Sequence, residues 1–228
     1  MTTRPALARP QPQAETRISH AFTAGAEKRL LLWIAHRLPA WVGSDLLTLV
    51  GLAGQLAASI GYGYASGRPW CLILVDLCLG LNWFGDSLDG TVARVRDRQR
   101  PKYGYYVDHV CDIFGSTVMM AGLAVSGLLH WQVAVALQMA FLLLAAESFL
   151  ATYSLGRFEL SQFRMGPTEL RILLCIGNLA AMVNPYATLG PRRVLLFDIG
   201  GVAGAVGMMA LTLLTAARHT AELYRRAV

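Results

Sequence analysis

Apolar residues dominate this chain in runs of about 20, each closed by a few polar or turn-forming residues, and that is the length an α-helix needs to cross the bilayer core. Six such runs fall near residues 45–66, 70–93, 105–129, 131–155, 169–189 and 195–216. The second and third are interrupted by aspartates, so an averaged hydropathy understates them. Ahead of the first run, residues 26–38 mix Lys28, Arg29 and Arg37 with Leu30, Leu31, Leu32, Trp33 and Ile34. This is the pattern of a short amphipathic helix lying in the membrane interface. Residues 1–16 are rich in Pro, Gln and Thr, and no apolar stretch there leads to a small-residue cleavage site, as a signal peptide requires. The pattern therefore predicts an all-α integral membrane protein. Its parts are a disordered cytoplasmic segment (1–25), a juxtamembrane amphipathic helix (26–40), a domain of six transmembrane helices (41–218) and a cytoplasmic tail (219–228).

Composition supports this reading. The 228 residues are 55% hydrophobic and 15% charged, with mean hydropathy +0.45, against roughly 25% charged residues in soluble domains. The net charge of +6 is then a topology signal before it is a sign of nucleic-acid binding. With both termini cytoplasmic, all of the 20 Lys and Arg residues except Arg68, Arg192 and Arg193 fall on inside segments. This bias also accounts for the alternating run Arg94, Arg96, Arg98, Arg100 and Lys102. The four cysteines, Cys71, Cys78, Cys111 and Cys175, lie in or at the ends of the runs without CxxC spacing and read as buried thiols. Gly51 with Gly54, and Gly200 with Gly204, have the spacing of close helix packing. Met119, Met120, Met208 and Met209 read as apolar filler. His20, His36, His130 and His219 have no ligand spacing and are given no chemistry.

The aspartates change the picture from a bundle to a site. Asp86 and Asp89 are three apart on one helix face, and Asp108 and Asp112 are four apart on the next. A short basic connection makes these two helices antiparallel neighbours, in a register that brings Asp86 toward Asp112 and Asp89 toward Asp108, just inside the cytoplasmic face. A charged side chain at the bilayer centre costs about 2.5–3.5 kcal/mol even on insertion scales, and clustered like charges resist ionising together. Bound hard cations or nearby arginines relieve both costs. Two divalent ions neutralise four carboxylates and suit displacement at phosphorus. Gly90, Ala93 and Gly104 leave room for a ligand against the backbone, and Arg94 is placed to hold a phosphate bidentately. Asn82, one turn before Asp86, is a candidate support for the metal ligands. Asp76 and Glu147, acids within spans, are functional candidates by position, and Glu147 suits an acceptor hydroxyl or amine.

The order Asp86-x-x-Asp89-Gly90-x-x-Ala93-Arg94, nine residues, then Gly104-x-x-x-Asp108-x-x-x-Asp112 resembles the signature of the CDP-alcohol phosphotransferases, the CDP-alcohol phosphatidyltransferase family. Eight fixed residues over 27 positions make the match specific, although it covers about an eighth of the chain. The resemblance implies an enzyme of phospholipid synthesis that breaks the pyrophosphate of a CDP-linked alcohol. The hydroxyl of a lipid or polar-head-group acceptor attacks the β-phosphorus and CMP leaves. It further implies two Mg²⁺ or Mn²⁺ ions held by Asp86, Asp89 and Asp108, with Asp112 as general base and possible fourth ligand. The CDP site would comprise Asp89, Gly90, Ala93, Arg94, Gly104 and Asp108. A homodimer in the inner or plasma membrane, with no nucleic-acid partner, completes the expectation.

Substrate identity is divided. A CDP-diacylglycerol donor is favoured on general grounds, and Arg157, Arg164 and Arg171 suit the phosphate of an anionic soluble acceptor, although positive-inside bias accounts for them about equally. Asp108-His109-x-Cys111-Asp112 and "PTELRI" at 167–172 instead resemble the choline/ethanolamine phosphotransferases, where His109 would assist Asp112 as a catalytic residue. Val110 stands where those enzymes have glycine. A carboxylate-lined ion transporter would also explain buried acids, but not the glycines, Ala93 and Arg94 at these spacings.

Overall fold

The computed structural model describes residues 24–155 and 167–227. Residues 1–23, expected to be disordered, lie outside the described residues, as do Arg157 and Arg164. The described chain forms α1 (Ala24–Arg37), α2 (Ser44–Ala65), α3 (Cys71–Val95), α4 (Pro101–Val125), α5 (Trp131–Leu155) and α6 (Pro167–Val183). A hairpin of β1 (Tyr186–Leu189) and β2 (Arg192–Leu195) then leads into α7 (Leu196–Ala227). The protein is an all-α membrane protein, and α2, α3, α5 and α7 are each long and apolar enough to cross a bilayer. α4 carries Lys102 and two aspartates, and α6 has 17 residues; these two complete the six runs seen in the sequence.

The departures from the expected elements have local causes. The fifth run stops at Val183, because Asn184 and Pro185 end the helix, and the residues up to 195 pair as an antiparallel hairpin. Its two-residue turn, Gly190–Pro191, puts glycine at a φ of +59°, where a Cβ would be strained. α4 starts four residues earlier than the apolar run, with Pro101 in its first turn, where the missing N–H is no loss. α7 continues through the expected tail, held by an Arg226–Glu222 pair one turn apart. The end of α3 is closed by Asp97 at a φ of +52°, with Arg98 N–H donating to the Ala93 carbonyl (2.9 Å) and Asp97 N–H to that of Arg94 (3.2 Å).

α2 is the axis of the bundle. It packs against both α3 and α4, whereas those two, expected to be direct neighbours, make little backbone contact with each other. The cause is a run of glycines. A Cβ on Gly54 would stand 2.7 Å from Asn82 N and 2.8 Å from the Cys78 carbonyl. One on Gly85 would overlap the backbone of Gly51 and Leu47, and Gly115 and Gly122 of α4 leave the same clearance for Gln55 and Ser59. α2 therefore inserts at backbone distance on two sides, as small residues allow. Between α5 and α7 the glycines that face a neighbour are Gly201, against Val133, and Gly204, against Leu137; Gly200 faces open space.

Two apolar clusters fill the bundle. One joins Tyr62, Leu72, Val75, Leu79, Met119, Leu123 and Leu129. The other joins α1 to the N-terminal end of α2 and the C-terminal end of α3 through Leu31, Ala35, Leu47, Leu88 and Val92. α1 buries Leu31 and Ala35 and leaves Leu30, Leu32 and Trp33 exposed, as an interfacial helix must. Arg96 holds its exit: the guanidinium donates to the carbonyls of Leu38 (3.0 Å), Pro39 (3.0 Å) and Val42 (2.6 Å). One member of the basic run is thus a structural clamp as well as a topology signal.

The glycine contact gives the first prediction. Gly85→Ala should lower the midpoint of thermal unfolding in detergent, at a cost of about 1–3 kcal/mol typical of overpacking. Gly80→Ala, with open space around it, should leave the midpoint unchanged or raise it slightly through helix propensity.

Candidate active site

The site forms where α3 and α4 present acids to a face of α2. Carboxylate oxygens of Asp86, Asp108 and Asp112 all lie within 4.8 Å of one another. The cleft among them measures about 10 Å³ and is lined by Thr48, Gly51, Leu52, Gln55, Asn82, Asp86, Asp108, Cys111 and Asp112. That is space on the order of one water-sized sphere. Asp89 has a different setting. Its Oδ2 accepts from Thr48 Oγ1 (2.7 Å) and its Oδ1 from the Gly90 amide (2.5 Å), so it stands beside the triad, turned toward α2.

Asp86 is paired with Arg171, which Asn82 in turn braces. Arg171 of α6 reaches across to α3, where Nη2 lies 2.5 Å from Asp86 Oδ2 and Nε donates to Asn82 Oδ1 at 2.8 Å. Asn82, 4% exposed, gives its own N–H to the Gly51 carbonyl at 2.9 Å. Asn82 thus ties α2, α3 and α6 together one turn from Asp86. Arg171 is placed by its helix. One turn before it, Thr168 donates to Glu27 of α1 (2.8 Å), which also accepts from Trp83 Nε1 (2.8 Å). Two turns after it, Asn178 donates to Asp76 (2.7 Å) and accepts from Tyr62 (3.0 Å).

The remaining sequence candidates fall in three groups. Arg94 folds back along α3, with Nη2 donating to Thr91 Oγ1 (3.0 Å) and its guanidinium over Gly90, where a Cβ would approach Nη1 to 3.3 Å. Ala93 lines a second, wider cleft of about 450 Å³, together with Gly43, Ser44, Asp45, Val92, Arg96, Arg98, Gln99 and Arg100. That volume lies within the range of small-molecule sites, roughly 300–1,000 Å³. Gly104 faces open space. His109 does not line the acidic cleft: its Nδ1 meets the Tyr105 carbonyl at 2.7 Å, and its ring packs against Tyr105 and Phe149, with centroids at 4.1 and 4.9 Å. Glu147 and Asp76 have structural partners, Glu147 being paired with His219 Nδ1 at 2.6 Å and Asp76 with Asn178.

Thr48, Gln55 and Glu27 were not singled out by the sequence. Thr48 and Gln55 are ordinary polar residues in an apolar run, and Glu27 sits in a segment whose charges read as interfacial. The polar character of Asn178 within the fifth run was a usable signal, because polar groups within spans are expensive and seldom idle.

The donor set suits hard divalent cations: it is all oxygen, anionic, and converges from two helices. A family model for CDP-alcohol phosphatidyltransferases matches residues 41–218, and the chain belongs to that family. It is also similar to the archaetidylinositol phosphate synthase of Pyrococcus horikoshii, with 31% identity over 115 residues, 50% of this chain and 54% of the relative. The chain thus spans about half the length of the curated relative it matches. Members of the family transfer a phosphatidyl group from a CDP-alcohol to an acceptor alcohol and are generally dependent on divalent metals.

Asn82 carries the prediction of this section. Asn82→Ala removes a buried partner from both Arg171 and Gly51, and stranded buried polar groups cost about 1–3 kcal/mol. The detergent-solubilised variant should unfold at lower temperature by a corresponding amount.

Proposed function

We propose that this enzyme transfers the phosphatidyl group of CDP-diacylglycerol to a polar-head-group alcohol, releasing CMP, with two divalent ions at the aspartates. The observation that carries this reading is the convergence of Asp86, Asp108 and Asp112 within 4.8 Å on the positions of the family signature. Asp86, Asp108 and Asp112 would hold the ions where they converge, and Asp89 would join them by turning from Thr48. Bound Mg²⁺ or Mn²⁺ would supply neutralisation of the pyrophosphate charge.

The chain's own residues do the rest. Arg94 and the backbone at Gly90 and Gly104 receive the diphosphate of the donor, and the cleft beside Ala93 receives its nucleoside. Asp112 takes the proton of the acceptor hydroxyl as the new O–P bond forms at the β-phosphorus. The bond from that phosphorus to the CMP oxygen breaks, and CMP departs with the electron pair. A general base must lie within reach of the hydroxyl it serves, and Asp112 is the deepest acid of α4 from its cytoplasmic end. His109, edge-on to Phe149 and tilted over Tyr105, has its Nδ1 on the Tyr105 carbonyl and 3.9 Å from Asp108, on the helix turn that carries the acids. The relative named for archaetidylinositol phosphate favours an acceptor with a phosphate of its own. Both termini cytoplasmic and assembly as a homodimer belong to the same proposal.

The test is CMP release in Mn²⁺-containing detergent micelles, with CDP-diacylglycerol plus soluble acceptors in one series and CDP-choline or CDP-ethanolamine plus diacylglycerol in the other. Release in the first series alone is expected; release in the second alone would reverse donor and acceptor. Asp86→Asn and Asp89→Asn should lose Mn²⁺ binding and turnover together. Asp112→Asn should lose turnover by on the order of 10²-fold or more, as for removal of a general base, while keeping most CDP binding. Equal loss of CDP binding in all three variants would overturn the assignment of Asp112 as base.

A further inference from the structure

Arg171 occupies a place the family signature does not explain. It lies on α6, outside the 27-residue motif, yet its Nη2 stands 2.5 Å from Oδ2 of Asp86, a member of the acidic triad. Its third guanidinium nitrogen, Nη1, is buried and finds no hydrogen-bond partner among the described residues. An orphaned charged donor costs more than a neutral one. A guanidinium satisfied on two nitrogens and stranded on the third is poorly settled where it is.

Resting on the metal-dependent reading above, we propose that Arg171 is the built-in counter-cation of the metal site. It and a divalent ion compete for Asp86, so metal loading displaces the guanidinium from that carboxylate. Charge supports the exchange. Four carboxylates present Arg171 with four negative charges, and two divalent ions would bring that sum to zero. With metal present, the net attraction that holds Arg171 to Asp86 is lost. Geometry supports it as well. α6 is tied at Thr168 to Glu27 and at Asn178 to Asp76 and Tyr62, on either side of Arg171. The backbone stays in place while the side chain rotates, and exchange needs no helix to move. Asn82, which accepts from Nε, is the natural pivot. The released fork carries Nη1 and Nη2 donors in the bidentate geometry that suits a phosphate. Arg171 is thus a positioning residue that sets the metal affinity of the resting site, and it keeps Asp86 neutralised until metal arrives.

The decisive measurement is a Mn²⁺ titration followed by electron paramagnetic resonance on the full chain in detergent, without nucleotide. Wild type is compared with Arg171→Gln and Arg171→Lys. Breaking a charge-assisted pair that competes with the metal should tighten Mn²⁺ binding on the order of tenfold in Arg171→Gln. Arg171→Lys, which keeps the charge but cannot span Asn82 and Asp86 in one fork, should tighten it less. If Arg171→Gln does not yield folded protein, tighter binding in Arg171→Lys supports the proposal and unchanged binding overturns it. Unchanged or weaker binding in both variants would overturn it too, showing that Arg171 orients Asp86 through one oxygen while the other takes the metal. Absence of Mn²⁺ from wild type and variants alike would overturn the metal reading itself. A loss of packing alone lowers metal affinity, so tightening separates this role from a merely structural one.

Discussion

Carboxylates inside an apolar bundle must be answered by positive charge, and the architecture here is organised around that requirement. Asp86, Asp108 and Asp112 converge from two helices, and none is tolerable there as an isolated anion. The protein answers from α6, which packs mainly against α3, with Arg171. The polar links around α6 serve this placement. Glu27, Thr168, Asp76, Asn178 and Tyr62 form two hydrogen-bonded anchors in a setting where such bonds are the readiest way to fix one helix against another.

The second constraint is steric. Acids from α3 and α4 can face one another around an ion only if something else fills the space behind them, and that filler is α2. Its approach at backbone distance depends on Gly51, Gly54 and Gly85 on one side and on Gly115 and Gly122 on the other. α3 and α4 thus make little backbone contact at the site and meet there through their carboxylates. Thr48 and Gln55 project from α2 into the same place, Thr48 holding Asp89 apart from the triad. The fold makes the site by insertion of a third helix, not by contact between the two that carry the acids.

Much of this was legible in the sequence. Hydropathy placed most helix ends to within a few residues, because a bilayer imposes length on every span, although α6 ends before its run does and α7 continues well past its own; the family was legible in eight residues, among them four aspartates and an arginine whose types are costly in a membrane. Three things were not legible. The insertion of α2 between α3 and α4 depends on which glycine faces which neighbour, and spacing alone cannot say; it marked Gly200 where Gly201 does the packing. The hairpin after α6 is four residues a side, too short for a periodic signal, although Gly190–Pro191 is a turn in plain sight. The partner of Arg171 lies 85 residues away, and the positive-inside rule offered a sufficient account of that arginine without any partner.

That last case explains how basic residues divide their work in this protein. Arginines at the inner ends of spans satisfy the topology rule wherever they point, so the rule cannot distinguish a solvated charge from a structural or catalytic one. Burial does. Arg96 is spent on backbone carbonyls at the exit of α1, Arg94 lies along α3 over Gly90, and Arg171 is turned inward onto Asp86 with 14% of its side chain exposed. The inward placements of Arg96 and Arg171, unlike the exposed Arg94, follow from one physical fact. A guanidinium carries five donors on a rigid fork and is more weakly hydrated than an ammonium, so it can cross from the aqueous face into a half-buried site at lower cost. A lysine in either of these places would keep the topology and lose the geometry, which is why arginine, and not lysine, stands at both.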